Sequence, residues 1–251
     1  MDKPALLFSS YNPAAAVTAT DSYAGTDPAD VLNFNEAHFW RPANISGSKV
    51  LSIDLAEVRI IDHLALVGQG LDGVVLTLEG SNDNWTTSET LLDAQLLVSA
   101  VNAAWSPLSS RSWRYLRLTF SFFSSAFRVS FISLELSAAL DWLDDDFDPD
   151  NVSDSGDITM SPGGLCLGAV QQRSMRHLQL IFGQVVQETY DQIQRWANAC
   201  QKTRAPYFFV PDISTTEVYF GWSDSGQFSA PLRADKGLRE VPTVTMITRG
   251  V

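Results

Sequence analysis

The chain has 251 residues, 45% of them apolar and 18% charged, which supports a buried core and excludes a disordered or nucleic-acid-binding tail. Its formal net charge of −12 repels phosphate backbones, so nucleic acid is not an expected partner. No apolar run reaches the roughly 18 residues that a membrane helix needs. Met1-Asp2-Lys3-Pro4 lacks the basic-then-apolar start of a signal peptide, so folding in a cytoplasm is expected.

From the start of the chain to 138, the pattern is strand and turn. Leu51, Ile53 and Leu55 alternate with Ser52 and Asp54, and Val74, Leu76 and Leu78 with Val75 and Thr77. Leu116, Leu118 and Phe120 alternate with Arg117 and Thr119, and Phe127, Val129 and Phe131 with Arg128 and Ser130. A period of two marks half-buried strands, and several short ones without helical periodicity predict an antiparallel jelly-roll β-sandwich. Residues 139–157 hold eight aspartates together with Pro149 and Gly156, a composition too poor in apolar surface to order itself, so they read as a linker. Beyond it, 165–170 and 175–182 read as strands. Val186, Tyr190, Ile193, Trp196, Ala197 and Cys200 then recur at steps of three and four, which predicts an amphipathic helix over 184–202 that Pro206 ends. Tyr207–Val210, 218–220 and 241–248 read as further strands. The expectation is a mainly β protein: a jelly-roll domain at 1–138, a linker at 139–157, and a β-rich α+β domain with one helix at 158–251.

Chemistry-bearing motifs are scarce. The three histidines, His38, His63 and His177, show no metal-ligand spacing, and neither a Gly-x-Ser-x-Gly elbow nor a phosphate-binding glycine loop is present. Ser161-Pro162-Gly163-Gly164 reads as a turn, because no Lys-Ser/Thr follows it. The aspartates of the linker match a Ca2+ loop only loosely, and Cys166 and Cys200 read as small buried hydrophobes. No enzyme, cofactor or metal is expected.

Four stretches resemble the discoidin family, the galactose-binding-like jelly roll. Phe39-Trp40-Arg41-Pro42 matches its early Trp, and Leu51-Ser52-Ile53-Asp54-Leu55 its hydrophobic-x-hydrophobic-Asp-Leu strand. Ser81-Asn82-Asp83-Asn84-Trp85 looks like its Ser/Asp/Trp hairpin, and Arg114-Tyr115-Leu116-Arg117 like its Arg-Tyr-hydrophobic-Arg strand. The match is to the framework: Trp40 and Trp85 read as packing residues, and Arg117 as paired within the sandwich. The resemblance implies ligand loops at one end of the sandwich, here 20–30 and 33–41. Sugar recognition needs an aromatic face for the C–H side of a pyranose and planar polar groups for its hydroxyls. Tyr23, Asn35, His38 and Arg41 are therefore the candidate carbohydrate-binding residues. Family members also bind Ca2+ near these loops, which makes Asp21, Asp27 and Asp30 the carboxylates to inspect.

The second half resembles the tail-tube-like domain of phage distal tail and baseplate proteins. The helix through Trp196, Pro206-Tyr207-Phe208-Phe209, Gly221-Trp222 and the segments at 231–233 and 243–246 carry that likeness. It implies a structural tail-tip or baseplate component of the virion, made in the host cytoplasm, with tail tube and hub proteins as partners and a hexameric ring as the assembly. The aromatic runs Tyr207–Val210 and 218–220 are the expected edges for ring contacts. Contact with a host glycan is a further expectation. The alternative reading is a non-viral carbohydrate-binding protein with a discoidin-like module.

Overall fold

The structure, a computed structural model, describes residues 3–9, 14–33, 35, 37–97, 103–135, 137–140, 152–160, 166–182, 184–201, 204–223, 239–241 and 243–249. It is mainly β, as expected. In chain order the first elements are β1 (Ala5–Leu7), β2 (Ala16–Ala19), a 3-10 turn at Pro28–Leu32, β3 (Lys49–Gln69), β4 (Val75–Ser81) and β5 (Glu89–Leu96). β6 (Ala103–Ser121), β7 (Arg128–Ser133), β8 (Ser137–Ala139), β9 (Val152–Met160) and β10 (Cys166–Leu180) follow. The last are β11 (Gln184–Val185), α1 (Gln187–Trp196) with a π-turn at Ala197–Gln201, β12 (Tyr207–Val210), β13 (Tyr219–Ser223), β14 (Arg239–Glu240) and β15 (Val244–Arg249). The chain forms two compact units: Met1–Ala139 with Tyr207–Tyr219, and Leu140–Pro206 with Phe220–Val251.

The first unit is an antiparallel β-sandwich organised by two long strands. β3 and β6 pair from Lys49↔Phe120 to Val67↔Ala103, with register shifts between Asp54 and Arg59 and between Ile61 and His63. Extra residues at such bulges bend a strand, and Ala56 takes a left-handed φ of 65° at the first of them. The halves of β3 consequently meet different neighbours, β2 before the bend and β7 after it. β4 and β5 extend the sheet beyond β6, while β1 lies between β8 and β12. The four alternating runs of the sequence put Leu51, Ile53, Leu55, Val74, Leu76, Leu78, Leu116, Leu118, Phe120, Phe127, Val129 and Phe131 inside, all buried. Trp40 is fully buried against Phe120 and Phe127, with ring centroids 5.9 and 5.8 Å away.

In the second unit β10 pairs with β9 and β15, and β15 also pairs with β13. The helix buries Thr189, Tyr190, Ile193 and Trp196 on one face, and Ala197 and Cys200 continue that face into the π-turn. Its first residue is Gln187, not 184. Val185 belongs to the small β11–β14 ladder, and Val186 is still extended (φ −69°, ψ 159°) as the capping residue.

Four further expectations differ from the structure. Residues 152–157, read as linker, are part of β9, paired with β10 from Val152↔Arg176 to Met160↔Cys166. That backbone ladder holds a polar segment which composition alone would leave unordered. The strands expected at 165–170 and 175–182 are one, β10, with register shifts at Cys166/Gly168 and Gln171/Arg173; the polar run Gln171-Gln172-Arg173-Ser174 interrupts the hydrophobic pattern but not the ladder. Tyr207–Tyr219, assigned by sequence to 158–251, packs with the first unit, where β12 pairs with β1 (Leu6↔Phe209). Finally, the aromatic runs expected to form assembly edges are interior: Tyr207, Phe208, Phe209 and Val210 are fully buried, and Val218, Tyr219 and Phe220 nearly so. A continuous apolar run with both faces covered has no face left for a neighbouring subunit. Residues 141–151, the turn at 161–164 and the side chain of Cys166 lie outside the described part of the chain.

Candidate functional site

The loops that follow β2 and precede β3 are fastened to the sandwich core. Thr20 N donates to Val50 O (3.0 Å), and Val50 N donates to Thr20 Oγ1 (3.2 Å). The indole Nε1 of buried Trp40 donates to Asp21 O (3.1 Å) and Ser22 Oγ (3.2 Å). One core residue thus fixes the start of the loop that carries Tyr23.

Tyr23 and Arg41 meet directly. Tyr23 N donates to Arg41 O (2.8 Å), and the Thr26 hydroxyl donates to Tyr23 O (2.9 Å) and Arg41 O (3.4 Å). The Arg41 guanidinium lies over the Tyr23 ring, 4.7 Å from its centroid, while Tyr23 keeps 47% of its surface exposed. A cation–π contact at such a site contributes about 0.5–1 kcal/mol. Asp27 caps the adjacent 3-10 turn through Ala29 N (2.9 Å), and Pro28 opens it. This turn brings Asp30 within 3.4 Å of His38 Nδ1. Asn35 belongs to the His38 turn, since its carbonyl accepts from His38 N (3.0 Å) and its Oδ1 from Ala37 N (3.1 Å). Tyr23 and Arg41 therefore form one contact, and His38 and Asn35 a second, on adjoining loops at the same end of the sandwich.

The carboxylates considered for Ca2+ do not converge. Asp21 holds Lys49 (2.6 Å), Asp27 caps its turn, and Asp30 faces His38. Among the described residues no group of three or more His, Cys, Asp or Glu is placed to share a metal ion.

Sequence reasoning missed an apolar rim at this end. Lys49, the first residue of β3, pairs with Phe120; Ser121 pairs with Val75, and Val75 with Leu96. The segments around Ile45, Leu96 and Phe122 consequently share the end that bears Tyr23. Their exposures are 53%, 56% and 85%. Strict alternation from Leu118 and Phe120 places Phe122 inward. Its left-handed φ of 58° breaks the pleat, and Phe123 turns in instead, edge-on to Phe127 at 5.0 Å. The doubled Phe122-Phe123 at the end of an alternating strand is the signal that could have revealed this.

Two other polar constellations lie elsewhere. At the opposite end of β4, the half-buried Trp85 carries the Arg117 guanidinium 3.9 Å above its ring, and Arg117 also faces Glu79 (3.7 Å), so Trp85 is a hairpin packing residue and Arg117 is paired, as expected. The hairpin is organised by Asp83, whose carboxyl is held below its usual range by hydrogen bonds from Thr87 N and Oγ1. Inside the unit, His63 Nδ1 meets Asp62 Oδ1 (2.8 Å), His63 Nε2 meets Ser133 Oγ (2.9 Å), and Ser133 Oγ meets Ser9 Oγ (3.1 Å). The order matches that of a hydrolytic relay. However, Ser133 is fully buried and His63 is 1% exposed, and the chain of hydroxyls passes from Ser133 to the half-buried Ser9. Burial opposes ionisation of Asp62, but hydrogen bonds from His63 and from Ser137 N and Oγ hold its carboxyl below the usual range.

No protein-family model and no curated protein matches the sequence. Among solved structures the chain is similar to CpGH89CBM32-6 of Clostridium perfringens, with 20% identity over 49% of this chain and 93% of that one at a TM-score of 0.42. It is also similar to CpGH89CBM32-5 of Clostridium perfringens, solved in complex with GalNAc-β-1,3-galactose (11% identity, 51% and 100% coverage, TM-score 0.45). A third similar structure is chitosan-binding module 1 from the chitosanase/glucanase of Paenibacillus sp. IK-5 (13% identity, 51% and 99% coverage, TM-score 0.45).

Proposed function

We propose that the chain is a carbohydrate-binding protein whose first unit holds a glycan at the loop end built from Tyr23, Arg41, His38 and Asn35, with Phe122 on the same rim. The observation that carries this reading is the exposed Tyr23 ring with the Arg41 guanidinium stacked on it, on loops locked to the core through Trp40. An aromatic face takes the C–H side of a pyranose, and guanidinium, imidazole and carboxamide groups supply planar donors to vicinal hydroxyls. The side-chain nitrogen of Asn35 is available for this, because its oxygen is engaged by Ala37 N.

The test is a glycan array probed with the full chain, covering neutral, amino and acidic glycans and including GalNAc-β-1,3-galactose. Calorimetric titration of Tyr23→Ala and Arg41→Ala follows. Both variants are expected to lose at least about tenfold in affinity, or about 1.4 kcal/mol, with a melting temperature lowered by no more than about 2–4 °C, the scale of the lost cation–π contact. A wild type that binds nothing on the array, or variants that bind as tightly, would reject the reading. Tyr207–Val210 and the run at 218–220, the edges expected to make contacts in a six-fold tail ring, are interior strands and lend that ring no support.

A further inference from the structure

Lys49 opens β3 in phase with Leu51, Ile53 and Leu55, so its side chain takes an inward position, and it is 4% exposed. A buried ammonium is costly unless it is paired and hydrogen-bonded. Its partners come from two different loops: Asp21 Oδ2 at 2.6 Å and Asn44 Oδ1 at 2.9 Å. Asp21 also accepts from Ala43 N and Asn44 Nδ2, each at 3.4 Å, and Asn44 Oδ1 accepts from Ser46 N (3.0 Å) and Ser46 Oγ (2.6 Å). A single cation thus gathers the loop after β2 and the turn before β3. Tyr23 stands two residues beyond Asp21, and Arg41 two residues before Ala43.

We infer that Lys49 is the positioning residue of the proposed glycan site: its buried ammonium clamps the two loops in the register that stacks Arg41 on Tyr23. The inference rests on the carbohydrate-binding reading above. Replacing both members of a buried ion pair by apolar groups often costs little stability, whereas removing one leaves the other charge uncompensated; here the remaining partner, Asp21, is 25% exposed and can take up water, and a retained pair can serve conformational specificity. That separates this role from a general structural one. Lys49→Met keeps the apolar stem in the core and removes the cation, leaving Asp21 and Asn44 to be hydrated.

Three measurements on the 251-residue chain test it, with GalNAc-β-1,3-galactose as the probe or, where the wild type does not bind it, another array-positive glycan. Lys49→Met is expected to lose at least about tenfold in affinity, the loss expected for Tyr23→Ala and Arg41→Ala, whose contact it positions. Amide exchange should rise in 20–33 and 41–48 while β3 and β6 stay protected, and the melting temperature should fall by no more than a few degrees, because the unpaired Asp21 can be hydrated. Asn44→Ala, at an exposed position, removes one oxygen partner without touching the buried charge. It should show the same pattern at smaller amplitude, and it serves if Lys49→Met does not fold. A wild type that binds and a Lys49→Met that binds equally well would overturn the positioning role alone. The same holds for exchange that rises across β3 and β6 as well as the loops. A wild type that binds no glycan of the array, GalNAc-β-1,3-galactose included, overturns both the positioning role and its premise.

Discussion

Two phenylalanines five residues apart should respond in opposite ways to truncation. Phe127 is 1% exposed and packs against Trp40, Phe120 and Phe123, with centroids 5.8, 5.1 and 5.0 Å away. Its replacement by Ala leaves a cavity at the centre of the sandwich and is expected to cost about 3–5 kcal/mol. Phe122 is 85% exposed. The remainder, roughly 30 Å² of a side chain that can bury about 200 Å², is worth about 0.8 kcal/mol at most at roughly 25 cal/mol per Å². Phe122→Ala should therefore stay within about 1 kcal/mol of wild type. Phe122→Gly, which relieves the left-handed φ of 58°, regains roughly 1 kcal/mol of backbone strain, partly offset by the entropy of glycine. Urea unfolding followed by tryptophan fluorescence gives the stabilities, and titration with an array-positive glycan gives the affinities. If Phe122 is a sugar platform, its Ala variant loses about fivefold in affinity, or about 1 kcal/mol. Destabilisation by Phe122→Ala comparable to Phe127→Ala would refute the assignment of which ring faces out, and unchanged glycan affinity would remove Phe122 from the site.

Other perturbations follow from the same structure. Gly68→Ala should cost more than about 2 kcal/mol, because a Cβ there would lie 2.0 Å from the Arg128 carbonyl oxygen, which belongs to backbone and cannot step aside; a melting temperature equal to wild type would contradict this. Asp62 titrates below its usual range, so its stabilisation is complete above the unfolded carboxyl value of about 3.9 and disappears as pH falls through the lower folded value. Acid unfolding of Asp62→Asn should accordingly show a shallower slope in that window, and an unchanged slope would assign the acid limb to other carboxylates. Burial pushes the Cys200 thiol up, and the thiol contacts Pro206 O. In a Cys166→Ser background it should resist a thiol reagent at pH 8 until guanidinium unfolds the chain, so rapid native-state labelling would count against its burial.

The sandwich was legible because its side chains report it. Leu51-Ile53-Leu55 and Leu116-Leu118-Phe120 show which face is inside, and period two needs no long-range information. The helix around Trp196 was legible for the same reason, with its start misjudged because Val185 and Val186 fit either state. Two kinds of feature stayed hidden. The first is order carried by the backbone: β9 is polar, and only its pairing with β10 makes it a strand. The second is a local break of the pattern. Lys49 occupies an apolar phase, and Phe122 leaves one, for reasons that lie in Asp21 and in a single left-handed φ. Of the site, residue types sufficed to nominate Tyr23 and Arg41. They could not show that Asp21, Asp27 and Asp30 each have a different partner.

The return of β12 to the first unit bears on how the protein is made. Ala5–Leu7 is hydrogen-bonded to Phe208–Val210, about two hundred residues later in the chain. During synthesis, at roughly 5–20 residues per second, the first strand waits at least about ten seconds for its partner to be made. Throughout that interval one edge of β1 offers unpaired N–H and C=O groups, a template for strands of other chains. Ribosome-bound chains stalled before residue 207 should therefore hold an incomplete first unit, and nascent-chain proteolysis should show β1 becoming protected only once Tyr207–Val210 has left the exit tunnel.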